Sequence, residues 1–361
     1  MAITAQRIPW WAWAWPLLAC IVLALQFFFG SGGPLAAAES FALIATVFAA
    51  VYHAEVVAHR VGEPFGTLVL ALAVTIIEVA LIVSMMITGG ADKAGLARDT
   101  VFSAVMIVCN GIVGLCLLVG GVRHREQVFQ LQGATAALVV LMALTTLTLV
   151  FPNLTTSTPG PTFSPSQLIF AALISLILYA SFLFVQTVRH RDYFLPADGG
   201  AEGVHAPPPP NKVALLSSGL LLVSLVVVVA LAKALTPIME FGIEKAGAPK
   251  TVVGIVIAGL VLLPEGLAAY RAASANRLQT SMNLALGSVL ASIGLTIPAV
   301  VAVSLLLHKP LTLGISPKEE LLLALTLLVS VLSLGTGRTT MLQGIVHLVV
   351  FAVFIFLSVV P

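Results

Sequence analysis

Charge is the scarcest thing in this sequence. Of its 361 residues, 9% are Asp, Glu, Lys or Arg, against about 25% in a soluble globular chain. That shortage excludes an ordinary soluble enzyme. The 59% hydrophobic content excludes disorder as well, because disorder requires low hydrophobicity. A net charge of +2, with no basic run and no aromatic platform, argues against a nucleic-acid partner. Cys20, Cys109 and Cys116 all lie in apolar stretches without metal-ligand or redox spacing and are read as small hydrophobes. There is no Walker loop, hence no ATP-driven pump in this chain. No HExxH or paired Cys/His pattern suggests zinc, and no serine sits in a nucleophile context that would make Ser288 and His347 a hydrolase. No cofactor and no enzymatic activity are expected.

What is present is apolar length. A spanning helix needs about 20 mostly apolar residues, and such runs occur at 9–30, 35–57, 64–88, 98–121, 131–151, 164–188, 212–236, 249–270, 281–307, 318–334 and 339–360. The runs are continuous rather than alternating, which predicts helices and not barrel strands. Arg7, the following apolar run and Ala36-Ala37-Ala38 imitate a secretory signal. However, Trp10–Phe29 exceeds the roughly 7–15 residues of a signal core, so it is read as a retained membrane helix. The longest polar stretch, 189–211, carries Pro207 to Pro210 and reads as a linker.

Without the first helix, two blocks of five remain, 35–188 and 212–361. Five is odd, so the second block enters the membrane inverted relative to the first, as in many secondary transporters. Leu131-Gln132-Gly133 and Leu342-Gln343-Gly344 each open an apolar run and are read as a trace of the repeat. The division is therefore an N-terminal helix (1–34), a first repeat (35–188), a linker (189–211) and a second repeat (212–361). Lys and Arg counts set orientation. Ten of the 17 fall on the side of the N-terminus and linker, predicting these cytoplasmic and the C-terminus external.

Two acids stand inside the apolar runs. Glu78 lies near the centre of Leu68–Met86, where a charge costs roughly 2.5–3.5 kcal/mol on insertion scales. Its helical face carries Thr75, Val74, Ala71 and Met85, a small and hydroxyl-bearing surface suited to a bundle interior. Glu265 follows Pro264, and proline frees a carbonyl one turn back. A helix broken there would offer backbone and side-chain oxygens to a cation. Intramembrane acids are functional by default; the structural alternatives are a protonated Glu78 bonded to a neighbour and a Glu265 paired with Arg271. Asn110, Ser103, Ser288 and Ser292, in the third helix of each block, are neutral ligand candidates, although membrane serines often bond their own backbone. His53, Glu55, His59, Arg60 and Glu63 form a polar helix end, which a solvated, snorkelling end would also explain. Glu319 and Glu320 begin a helix, where acids favour the dipole. His347 is read as a packed or bonded histidine.

The segment Ala54–Ser84, AEVVAHRVGEPFGTLVLALAVTIIEVALIVS, resembles the first signature of the calcium/proton exchanger family within the calcium/cation antiporter superfamily. Glu55, Gly62, Glu63, Gly66 and Glu78 match its helix-two acid, Gly-Glu pair, glycine and ion-site glutamate. Leu263–Pro298 is similar to the second signature, with Glu265 on the second ion-site glutamate and Gly287-Ser288 on the Gly-Ser pair. GTGRTTMLQGIVHLVVFAVF resembles the final helix. HRVGEP and PEG are shared with the bacterial ChaA-type calcium/sodium/potassium–proton antiporters. The chain departs from the family at Leu70 and Thr75, where asparagines are usual, at Gly266, a family histidine, and at Ala291, a family glutamine.

The resemblance implies an all-α, sodium/calcium exchanger-like fold in a bacterial inner membrane. It implies a cation/proton antiporter whose partners are inorganic cations, protons and lipid. Glu78 and Glu265 would bind calcium and protons, Thr75, Asn110 and Ser288 would complete the shell, and Glu55 and Glu63 would line the approach. The expected activity is calcium extrusion in exchange for protons, with a sodium- or potassium-selective antiporter as the alternative. A channel using the same acids as a selectivity ring is a third reading. Lys233 falls where the family pattern commonly places an acid in the second repeat, and is read either as an interface anchor or as a determinant of ion selectivity.

Overall fold

The computed structural model describes residues 8–30, 32–62, 65–88, 93–195, 208–245, 247, 249 and 251–360. Among them are eleven long helices, one for each expected span. These are α1 Trp10–Phe29, α2 Gly33–Val61, α3 Phe65–Thr88, α4 Leu96–His124, α5 Leu131–Asn153, α6 Pro165–Arg189, α7 Asn211–Lys245, α8 Val252–Ser274, α9 Leu278–Leu307, α10 Pro317–Leu334 and α11 Met341–Val359. Helices follow from the solvent: lipid bonds no backbone group, so each span must satisfy its own. Ten are long and apolar enough to cross a membrane by length and composition. The remaining one, α10, begins Pro317-Lys318-Glu319-Glu320 and is closed by a reciprocal capping box between Ser316 and Glu319. Glu319 is therefore a helix-start residue, as its position suggested.

The helices form two compact units. One holds α1, α2, α3 through Met85, and α7. Here α1 and α2 run antiparallel: Trp11 meets Tyr52 edge-to-face at 5.3 Å, Trp15 meets Phe41 at 5.2 Å, and His53 Nε2 lies 3.0 Å from the Ala12 carbonyl. Arg60, near the end of α2, donates to Asn211 at the start of α7, so α2 and α7 are antiparallel too. At 35 residues, α7 is about 52 Å long and ends nine residues beyond the expected boundary. Pro237, one residue past that boundary, is accommodated within the helix.

The other unit holds α4–α6 and α8–α11 and has two recognisable ends. At the first, Thr312 N donates to Ala94 O (3.0 Å), Gly314 N to Pro161 O (3.1 Å) and Ile315 N to Leu149 O (3.0 Å). At the second, β1 (Glu126–Val128) pairs antiparallel with β2 (Arg338–Thr340). There Gln127 Nε2 donates to Ala273 O (3.0 Å) and Asn283 Nδ2 to Phe194 O (2.6 Å). These contacts give every helix a direction. Within this unit α4 and α6 run from the first end to the second and α5 returns. Their block-two counterparts, α9, α10 and α11, run the opposite way, as α7 does to α2 in the other unit. The inverted repeat is thus visible as reversed helix direction.

The likeness of Leu131-Gln132-Gly133 to Leu342-Gln343-Gly344 has a different origin. It opens the fourth helix of block one and the fifth of block two, which are not repeat partners. Both helices spring from the two-stranded sheet at the same end of the unit. A shared strand-to-helix corner explains the similarity.

A buried polar knot ties this second unit. Asn110 Nδ2 donates to Thr326 Oγ1 at 2.8 Å, and Asn110 Oδ1 lies 3.3 Å from His347 Nδ1. All three residues are fully buried, so α4, α10 and α11 are joined through one amide. Around it, α11 lies hard against α4: a Cβ on Gly114 would stand 2.9 Å from that of His347.

Two outcomes follow. Asn110→Ala removes the partner of His347 Nδ1 and should cost about 1–2 kcal/mol, read as a lower melting temperature of the purified protein; an unchanged melt would deny the knot a stabilising role. Reporters fused after Pro361 and inserted in 199–206 should report opposite sides of the membrane, because Arg189–Phe194 and the end of α11 lie at opposite ends of one unit. Both on one side would contradict the observed helix directions.

Candidate cation site

Glu78 is positioned by a tight corner. Gly62 closes α2 with φ of +78°, its N–H bonding Ala58 O at 2.9 Å. A Cβ on Gly66 would come within 2.5 Å of that same carbonyl. The two glycines therefore let α3 start directly against the end of α2. Glu78 is the fourteenth of the 24 residues of α3 and is 2% exposed, and Thr75, one turn earlier, is 6% exposed. The two lie on one helical face, as the spacing required. Glu55 is half-buried in the last two turns of α2. Glu63 lies outside the described residues.

Glu265 is the fourteenth of the 23 residues of α8 and is half-buried. The helix runs unbroken from Val252 to Ser274 with Pro264 inside it. The expected break is absent: proline withholds only its own N–H from the Leu260 carbonyl, and neighbouring turns carry the helix past it. Backbone irregularity appears at Thr146–Val150 in α5 and Val185–Arg189 in α6, and also one helix after each acid. The third helices, α4 and α9, contain π-helical segments at Ile107–Ile112 and Ser292–Thr296, the kind of insertion that recurs at functional sites. No sequence signal marked them. Asn110 lies in the first and Ser292 opens the second, while Ser103 is buried and Ser288 half-buried. The α4 segment packs on α8 beside Glu265: a Cβ on Gly266 would meet Ile112 Cδ1 at 3.1 Å.

Some expected ligands are already engaged. The Asn110 oxygen faces His347, which is bonded, as read from the sequence. Glu320 accepts from Asn153 Nδ2 at 2.6 Å, at the mouth of a cavity of about 720 Å³ at the first end of this unit. Arg98 there pairs with Asp99 (2.7 Å) and donates to Gly314 O.

Lys233 is exposed and stands 12 residues before the end of α7, not in its last turn. The longer helix changes its setting: about 33 Å from Asn211 along the axis, it lies one hydrocarbon thickness, about 30 Å, from the Arg60–Asn211 end. One buried acid escaped the sequence reading altogether. Glu39, seven residues into α2, is fully buried.

Comparison with known proteins accords with this arrangement. The family model described as sodium/calcium exchanger protein matches residues 14–188 and 216–360. A provisionally named ionic transporter of Sinorhizobium fredii, y4hA, is 47% identical over all of this chain and 99% of its own length. The sodium-potassium/proton antiporter ChaA of Escherichia coli is 36% identical over 94% of this chain and 93% of that protein. The crystal structure of the Ca2+/H+ antiporter protein YfkE superposes with a TM-score of 0.73, over 97% of this chain and 99% of that one at 16% identity, a likeness of fold. With the family model covering both blocks and a relative of 36% identity spanning nearly the whole chain, this multi-pass membrane protein belongs to the sodium/calcium exchanger family of cation antiporters.

Proposed function

We propose that the protein exchanges cytoplasmic cations for protons, with Glu78 and Glu265 as the exchanging carboxylates. The observation that carries this is the pair itself: one acid at mid-span in the second helix of each of two inverted blocks. Two carboxylates balance one divalent ion, two monovalent ions or two protons, so each loaded state is near neutral. A neutral load can pass through a dry intermediate, whereas a bare dianion pays the cost of uncompensated buried charge. That difference couples the two fluxes under alternating access and separates an antiporter from a channel, which needs no such coupling.

Calcium takes about 6–8 oxygens. Two bidentate carboxylates supply four, leaving Thr75, Ser288, backbone carbonyls and water to complete the shell. Asn110 would contribute only by releasing His347. The name of the YfkE antiporter supports calcium as the cargo. Sodium or potassium is the second reading, favoured by the name of the more similar ChaA relative and by the modest oxygen count. Glu55 and Glu63 serve as approach acids. Orientation follows the arginines: Arg123, Arg125, Arg189, Arg191, Arg271, Arg277 and Arg338 all lie toward the strand-bearing end of the larger unit, which is therefore assigned to the cytoplasm.

In everted vesicles, added calcium, sodium or potassium should collapse an imposed pH gradient. Glu78→Gln and Glu265→Gln should each reduce this to the level of vesicles lacking the protein, with insertion unchanged, because the amide keeps the volume but cannot cycle a proton. Proton-coupled flux surviving in either variant would move the site elsewhere. Lys233→Ala tests selectivity: its ammonium repels a divalent ion twice as strongly as a monovalent one, so removal should raise apparent calcium affinity more than sodium affinity. An unchanged ratio would leave Lys233 as an interface anchor.

A further inference from the structure

The larger unit carries a second cavity, of about 590 Å³, whose lining is apolar apart from the Tyr270 hydroxyl. Its floor is α4 between Ile107 and Leu115. One wall is α8 between Ile255 and Tyr270, and the other is Leu348 and Phe351 of α11. Both walls rest on the floor: a Cβ on Gly266 of α8 would meet Ile112 Cδ1 at 3.1 Å, and a Cβ on Gly111 of α4 would meet the Phe351 ring at 3.3 Å. A missing side chain deepens the groove at Gly259, where the nearest atom to an added Cβ is Ile107 Cδ1 at 4.0 Å. All three helices are long and apolar enough to cross the membrane, and Leu115, Leu263 and Leu267 of the lining are exposed. The groove therefore opens toward hydrocarbon.

Shape and charge say what fills it. Ile255 and Tyr270 are about 22 Å apart along the helix axis, so the volume corresponds to a mean cross-section of about 26 Å². An α-helix with its side chains is about 10–12 Å across, or about 80 Å² and more in section. The groove is too narrow for a helix and wide enough for a single hydrocarbon chain. Its strand-bearing end is basic. Tyr270 lies near the end of α8, the level at which amphipathic rings meet headgroups. Arg271 follows it, Arg123 lies in the last turn of α4, and Arg338 opens β2 just ahead of α11. Each helix of the groove thus has an arginine at this end. Arg123 and Arg271 are exposed. Arg338 meets Glu126 at 3.4 Å in solvent, a pairing that holds little of its charge. Among the described residues of this unit, the seven arginines at this end face two acids, Glu126 and Asp192.

We propose that this groove binds one phospholipid with an anionic headgroup. An acyl chain lies over α4 between α8 and α11, and the phosphate meets Arg123 and Arg271. Arginine suits that contact because its planar fork donates two parallel bonds to a phosphate. A zwitterionic lipid has the same chains but brings a cationic group to an already basic mouth, so charge selects the headgroup while the groove holds the chain.

The test reads binding and needs no transport. Delipidated full-length protein in detergent is titrated with phosphatidylglycerol or phosphatidylcholine, and bound lipids are counted by native mass spectrometry. One phosphatidylglycerol per chain should be held at least about tenfold more tightly than phosphatidylcholine. Arg123→Gln combined with Arg271→Gln should bring phosphatidylglycerol down to the phosphatidylcholine level. Gly259→Leu fills open space in the groove and favours the helix, so it should weaken retention of both lipids without lowering the melting temperature. If the arginine variant does not fold, Gly259→Leu remains decisive. The proposal is overturned by equal retention of the two lipids in the unsubstituted protein, or by phosphatidylglycerol retention that either folded variant leaves unchanged. A dimer that Gly259→Leu disrupts, with no lipid adduct, would also overturn it and make the groove a seat for a second copy.

Discussion

Lipid offers no hydrogen bonds, and the rest of the structure follows from that constraint. It forces each apolar run into a helix that satisfies its own backbone, and it makes every buried polar side chain costly unless partnered. The side chains that remain polar inside these spans are consequently informative. Two sets of them stand out: the knot of Asn110, Thr326 and His347, and the carboxyls of Glu78 and Glu265.

The knot is structural in character. A single amide bridges three helices, and its oxygen faces a histidine. It sits in the π-helical stretch of α4, whose other face packs on the helix of Glu265. The helix of Glu265 is thus packed beside a backbone irregularity that α4 accommodates without ending. The matching π segment in α9 shows that this compromise occurs in both blocks.

Glycines set the close approaches on which the acids depend. Gly62 and Gly66 allow α3 to begin against α2, which puts Glu78 at mid-span rather than near an edge. Proline is tolerated inside the helices, including at Pro264, where a break was expected. Both Pro237 and Pro264 lie in continuous helices, because the loss of one N–H is smaller than the cost of exposing several backbone groups to lipid.

The number of spans, the inverted blocks and the two mid-span acids were legible in the sequence, because apolar length and the rarity of membrane charge are one-dimensional signals. Helix ends were less so. The extension of α7 past Pro237 moved Lys233 out of a last turn, and the helix through Pro264 stayed whole, since propensity is overridden when lipid surrounds the backbone. The two Leu-Gln-Gly openings misled, because similarity along the chain cannot separate a repeat from a shared corner. Only the tertiary structure decided that the Asn110 oxygen is engaged with His347, that both third helices carry π segments, and that Glu39 is buried. Those are facts of pairing between residues as many as 237 positions apart, and such pairing is fixed by packing, which no local pattern encodes.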